Sequence, residues 1–156
     1  MKHTYQIDEV DKKILTLIQR DATISHAMLA DQVGASSASC WRRVKAMEDA
    51  GILTAVVRLA DPAKLGYGVN VLCNVRIANQ PDKSAAAFEE FTRRQHEIIE
   101  CYSTSGDWDY LLRIVATDVA DYNAFLTTKV LQHPSVAAAS SHFVLETIKF
   151  TTALPV

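Results

Sequence analysis

The sequence predicts an α+β fold in two units, a helical first third followed by alternating strands and helices. Three observations carry that prediction. A helix capped by Ser36 or Ser37 and closed by Gly51 places Cys40, Val44 and Met47 on one apolar stripe. A shorter helical pattern, capped by Ser25, stops at Gly34 just before it. Beyond residue 68 the rhythm turns to period two, with Val69, Val71, Cys73, Val75 and Ile77 alternating with Asn70, Leu72, Asn74 and Arg76.

In chain order, Ile7 to Arg20 places Ile7, Val10, Ile14, Leu17 and Ile18 on one side. Asp8, Asp11, Lys12, Lys13 and Gln19 fall mostly on the other, and Asp8 and Glu9 suit the positive end of the helix dipole. The Ser25 and Ser36 helices then form a tight pair turned at Gly34, a helix-turn-helix that holds its second member proud of the domain. Ile52 to Leu59 is β-branched and partly alternating, which predicts a strand, the wing of a winged helix, with Arg58 exposed. The first domain is thus expected over 1–60.

Ala60 to Gly68, with one Pro and two Gly, reads as a linker over 61–68. The second domain, 69–156, follows the order βαββαβ. Its strands are expected at Val69 to Ile77, Ile98 to Ser105, Tyr110 to Thr117 and Val136 to Lys149. One helix opens at Pro81 with Ala85, Phe88 and Phe91 inside and Glu89, Glu90, Arg93 and Arg94 outside. A second is capped by Asp118 and ends before Pro134. That order predicts a ferredoxin-like sandwich with both helices on one sheet face. Both registers of the strands read as apolar, as in Val71 with Leu72 and Leu111 with Leu112. The bare face is therefore expected to be buried by a second copy, giving a homodimer.

A net charge of −2 argues against a protein that coats nucleic acid indiscriminately. Any contact with DNA must be local, and residues 1–60 carry 8 basic and 7 acidic side chains against 8 and 11 in the remainder. The outward face of the Ser36 helix presents Ala38, Ser39, Arg42, Lys45 and Ala46, with Arg43 and Trp41 on its flanks. Small residues let the backbone approach base edges, and cations reach phosphate or guanine. A solvated amphipathic helix with ordinary surface arginines is the bland alternative, and the preceding helix and tight turn favour DNA.

The turn Ser103 to Tyr110 is more polar than a hairpin requires. Hydroxyls of Ser103, Thr104 and Ser105 with the Gly106 N–H suit a carboxylate, and Asp107 and Asp109 suit an ammonium, the two charges of a free amino acid. A plain polar hairpin whose aspartates bond their own backbone stands beside that reading. No nucleophile or oriented histidine accompanies the aspartates, so no catalytic residues and no enzyme are expected. Cys40, Cys73 and Cys101 form no C-x-x-C pair and are each expected as small buried residues. With five scattered histidines, neither a metal nor another cofactor is expected. No apolar run approaches the ~18 residues that span a membrane, and the N-terminus has no apolar signal segment, which predicts a soluble cytoplasmic protein.

The chain resembles the Lrp/AsnC, or feast/famine, family of transcription regulators. The resemblance rests on I-D-E-V-D-K-K-I-L, L-A-D-Q-V-G-A-S, R-R-V-K-A-M-E-D-A-G-I-L, the L-A-D-P-A-K-L-G linker, G-D-W-D-Y-L-L-R-I-V and the closing E-T-I-K-F-T-T-A-L-P. It implies double-stranded DNA as partner, bound through Ser36, Ser37, Ser39, Arg42, Arg43 and Lys45. It implies a small-molecule effector, an amino acid or a related compound, between subunits at Gly106, Asp107, Asp109 and Tyr110 beside Ser103 and Thr104. Ser140 and Ser141 would reach in from a neighbour, and dimers would assemble to a tetramer or octamer. Two departures stand out. Many relatives carry a basic residue where Ala46 stands and proline at Ser37 and Ser39. Trp41 takes the place of a usual aliphatic residue, and packing at the edge of the core is expected over contact with a phosphate. A nucleoid-organising or small-molecule-binding protein with non-specific DNA contact is the alternative.

Overall fold

The computed structural model describes residues 5–78 and 81–156, the side chains of 81–84 excepted. His3 and the first four residues of the expected first domain lie outside it. The chain forms two compact units, one of residues 1–58 with 149–156, the other of residues 59–148.

In the first unit α1 spans Glu9–Ile18, α2 His26–Val33 and α3 Ser37–Asp49. Each start is fixed by a side-chain cap. Asp8 accepts from the Val10 and Asp11 N–H groups while Asp11 reaches back to the Asp8 N–H, a reciprocal capping box. Ser25 caps α2 and Ser36 caps α3, accepting from Met28 and Ser39. Gly34 adopts φ +71°, the left-handed exit that turns α2 into α3. The three helices close on Ile14, Leu15, Leu29, Val33, Cys40 and Met47.

Three expectations are corrected here. Residues 52–59 form no strand: Ile52 and Leu53 bend back to donate to the Met47 carbonyl, the rest makes no ladder, and Val56, Val57 and Leu59 stand in solvent. A β-branched run becomes a strand only when another backbone takes its hydrogen bonds. Asp11, expected outside, is 1% exposed and held by Arg43. The tail, expected in the second domain, belongs to the first unit, where Gln19 Nε2 donates to the Leu154 carbonyl and the Leu154 N–H donates to Gln19 Oε1.

The second unit opens with a short 3₁₀ turn at Ala63–Leu65 and then β1, Val69–Ile77. It continues through α4 Pro81–Arg94, β2 Ile98–Ser103, β3 Tyr110–Ala116, α5 Val119–Phe125 and β4 Val136–Phe143, with a π-helical turn at Leu126–Val130 extending α5. The sheet is antiparallel in the order β2-β3-β1-β4, the ferredoxin-like arrangement. Pairing of Val71 with Ile114 and Cys73 with Leu112 aligns one face. That face carries Val71, Cys73, Val75, Leu112 and Ile114, and α4 and α5 cover it with Phe88, Tyr122 and Phe125.

The opposite face is more polar than expected. Leu72, Leu111 and Tyr102 alternate with Asn70, Asn74 and an Arg113–Glu100 ion pair of 2.9 Å, so it is a mixed surface with an apolar minority. Strand β4 ends at Phe143 instead of Lys149: the Val144 N–H still donates to the Asn70 carbonyl, and past it the ladder with β1 does not continue. Cys101, expected buried, lies exposed on the sheet's edge strand.

Candidate nucleic-acid interface and ligand site

Helix α3 divides its side chains by phase. Cys40 and Met47 are fully buried, and Val44 is partly buried against the same core. Ser36, Ser37, Arg42 and Lys45 are exposed, and Ser39 is half-buried. Arg42 makes no ion pair among the described residues, so its five donors are open to a phosphate or to guanine. Lys45 lies 3.0 Å from Asp49 and 3.6 Å from Glu48, exposed contacts of the kind that exchange readily for phosphate. The Ser36 hydroxyl is already engaged as the α3 cap.

Arg43 does not join that outward face. Its Nη1 donates to Asp8 Oδ2 at 2.7 Å and to Asp11 Oδ1 at 2.8 Å, pinning α3 to the start of α1. The Asp8 carboxyl is held below its ordinary range, first by the Asp11 N–H and then by this guanidinium. The guanidinium itself is pushed further toward permanent charge by Asp11 and Asp8. The role in DNA contact expected for Arg43 is therefore replaced by a positioning role, because its place on the helix flank aims it at two carboxylates one turn apart on α1. Trp41 is 57% exposed and lies off the core, against the expectation that it packs there.

In the second unit a recess of about 570 Å³ lies between α4 and the sheet. Ser103, Thr104, Asp109 and Tyr110, four of the residues singled out in the sequence, form one wall. Ile77, Ala78 and Ala85 form the rest. A smaller recess of about 270 Å³ adjoins it, sharing Ser103 and Tyr110 and adding Glu89, Thr92, Arg93 and Cys101.

The turn at its mouth is tied down from several sides. The Ile77 N–H donates to Asp109 Oδ2 at 2.7 Å, and the Asp109 N–H donates to the Val75 carbonyl. The Thr104 hydroxyl donates to the Trp108 carbonyl, and its N–H to that of Asp109. Arg76 lies 4.7 Å over the Trp108 ring and donates through Nε and Nη2 to the Asp107 carbonyl. These bonds leave Asp109 Oδ1 and the Ser103 hydroxyl without recorded partners among the described residues. Tyr110 is buried and donates to Glu89 Oε1 at 3.0 Å. Burial first, then that carboxylate, pushes its phenol up to about 12.

Gly106 and Asp107 cap the turn, exposed and outside the recess walls. Ser140 and Ser141 are not brought to this recess within the chain. As successive strand residues they point to opposite faces. Ser141 faces the helices and shares a short hydrogen bond with the Tyr122 hydroxyl, while Ser140 shares the mixed face with Asn74. Glu89, Thr92, Arg93 and Cys101 were missed as site residues, and so were Arg76 and Trp108. Glu89 and Glu90 each pair with an arginine of their own helix, so no local mark set them apart.

Residues 70–154 match the Lrp/AsnC ligand binding domain, and residues 7–54 match a winged helix-turn-helix DNA-binding domain. The chain is 33% identical over 150 residues to the DNA-binding transcriptional activator DecR of Escherichia coli, covering 96% of this chain and 99% of that protein. It is 34% identical to the glutamate uptake regulatory protein of Zymomonas mobilis, covering 96% and 91%. A transcriptional regulator of Neisseria meningitidis, solved in complex with L-Met, superposes with a TM-score of 0.93 at 33% identity, covering 96% of this chain and 97% of that one. An AsnC family regulator from Agrobacterium tumefaciens gives 0.89 at 40% identity, with 95% and 96% covered. With both domains matched in order and full-length relatives above 30% identity, the chain belongs to the Lrp/AsnC family of DNA-binding transcription regulators.

Proposed function

We propose that this regulator binds specific operators through α3 and that a free amino acid, or a metabolite bearing the same two charges, sets the strength of that binding from the recess beside Ser103–Tyr110. The observation that carries the reading is the convergence of Ser103, Thr104, Asp109 and Tyr110 on one recess within the size range of small-molecule sites. Asp109 keeps one carboxylate oxygen for an ammonium while its other oxygen is fixed by the Ile77 N–H. The Ser103 hydroxyl on the recess wall supplies a donor for a carboxylate. The L-Met complex of the Neisseria regulator supports an amino acid as the ligand class.

Two copies joined through the mixed sheet face present two α3 helices to successive major grooves of a pseudo-palindromic site. Dimers associate further into a tetramer or octamer. The effector acts by binding one packing of the assembly more tightly than another, and only that difference in affinity moves the equilibrium. A cytoplasmic setting, where DNA and free amino acids meet, fits this reading, and no described helix is long and apolar enough to cross a membrane.

The test is a footprint on the chain's own upstream region with excess random DNA, repeated with each common amino acid. Arg42→Ala should cost about 1 to 3 kcal/mol of operator affinity and flatten discrimination at one base position. Binding that random DNA competes away equally well overturns the specific reading in favour of a nucleoid-type protein.

A further inference from the structure

Trp41 is the largest side chain on the outward half of α3 and it has no place in the core. At 57% exposure it stands beside Arg42, with Lys45 one turn on. Helical side chains lean toward the N-terminus and cover the turn before their own Cα. The turn beneath Trp41 holds Ser37 and Ala38, both small and exposed, so nothing there overlays the indole. From Ser37 to Met47 the helix carries Arg42, Arg43 and Lys45 and no acid. An exposed apolar ring set among cations on a regulator's projecting helix fits a polyanion that also offers apolar contact.

We propose that Trp41 is a base-reading residue that lies on the C5-methyl group of a thymine in each operator half-site. This rests on the assignment of α3 as the DNA-reading helix and goes beyond it by giving one side chain and one base. The indole has a single donor, no acceptor and a broad apolar rim. It cannot satisfy the exocyclic amino donors of adenine or cytosine. Guanine offers two acceptors and no apolar group, whereas thymine sets a methyl group next to its O4 acceptor. Thymine alone therefore matches both parts of the ring, and Arg42 on the adjoining face is free to take a neighbouring guanine or phosphate.

The experiment selects operators from a random duplex pool with the full-length protein and with Trp41→Leu, whose exposed site leaves the α1–α3 core intact. Each thymine of the selected half-site is then replaced by uracil, which removes only the methyl group. For the wild type, one symmetry-related position should lose about fourfold in affinity, the value of one buried methyl group. The Trp41→Leu protein should be indifferent to uracil there, keep its sensitivity elsewhere, and select a pool relaxed at that position. The tryptophan emission lost in Trp41→Leu should be the part that changes when operator binds. An unchanged consensus with equal uracil sensitivity in both proteins would overturn the proposal while leaving α3 as the reading helix. A pool with no consensus would overturn both.

Discussion

Replacing Arg43 by methionine separates a positioning role from DNA contact. Asp11 is essentially buried, and without Arg43 its carboxylate loses its charged partner and keeps the Asp8 N–H at 3.1 Å. A hydrogen bond to a charged group contributes about 1.5 to 3 kcal/mol, and orphaning a fully buried charge costs about 3 to 5. Because the Arg43 side chain is 27% exposed, water refills part of its place, and a loss of about 2 kcal/mol follows. Native-state hydrogen exchange at the amides of Cys40, Val44 and Met47 reads that loss as about thirtyfold faster exchange in α3. Adding Asp11→Asn to Arg43→Met removes the stranded charge while keeping an acceptor for the Asp8 N–H, and should recover about half. If Arg43→Met left exchange unchanged and weakened operator binding alone, the clamp would be wrong and Arg43 would be a DNA contact.

Two further outcomes follow from the geometry. Asp109 lines the recess and accepts from the Ile77 N–H through Oδ2 only, so Asp109→Asn, which keeps that acceptor and removes the charge offered to an ammonium, should abolish the amino-acid response in a footprint while leaving basal operator affinity unchanged; a retained response moves the ligand elsewhere. The depressed Asp8 carboxyl has a folded value below its unfolded one, about 3.9. Its contribution to stability is complete above that pH and is lost as pH falls through the folded value. An acid titration should therefore release α1 and α3 with a midpoint shifted upward in Asp8→Asn, which keeps a capping oxygen but loses the charge facing Arg43, and a coincident curve for the variant denies that ion pair its role.

The helical unit was legible because its boundaries are local. Asp8, Ser25 and Ser36 each cap within three residues, and Gly34 declares the turn by its own backbone. The strands were legible in type and less so in extent, since the end of β4 at Phe143 is set by its pairing with β1 and not by its own residues. Residues 52–59 carry every local mark of a strand and lack a partner, which no local mark reports. The site split the same way. Ser103 to Tyr110 announced itself as an over-polar turn, but the links from Tyr110 to Glu89 and from Asp109 to Ile77 join residues 21 and 32 positions apart. Arg43 was misplaced because helix phase gives direction and not distance. The pair Asp8 and Asp11, three apart at the start of α1, was the hint that a cation belonged there.

The Gln19 to Leu154 pairing changes what a fragment of this protein would be. A piece cut after the third helix would lose the tail that two hydrogen bonds lay against the end of the first, and would report a weaker unit than the intact chain contains. A purification handle fused behind Val156 would hang from the DNA-binding half, not the sensing half. The polypeptide passes between the two units twice, at 58–59 and at 148–149.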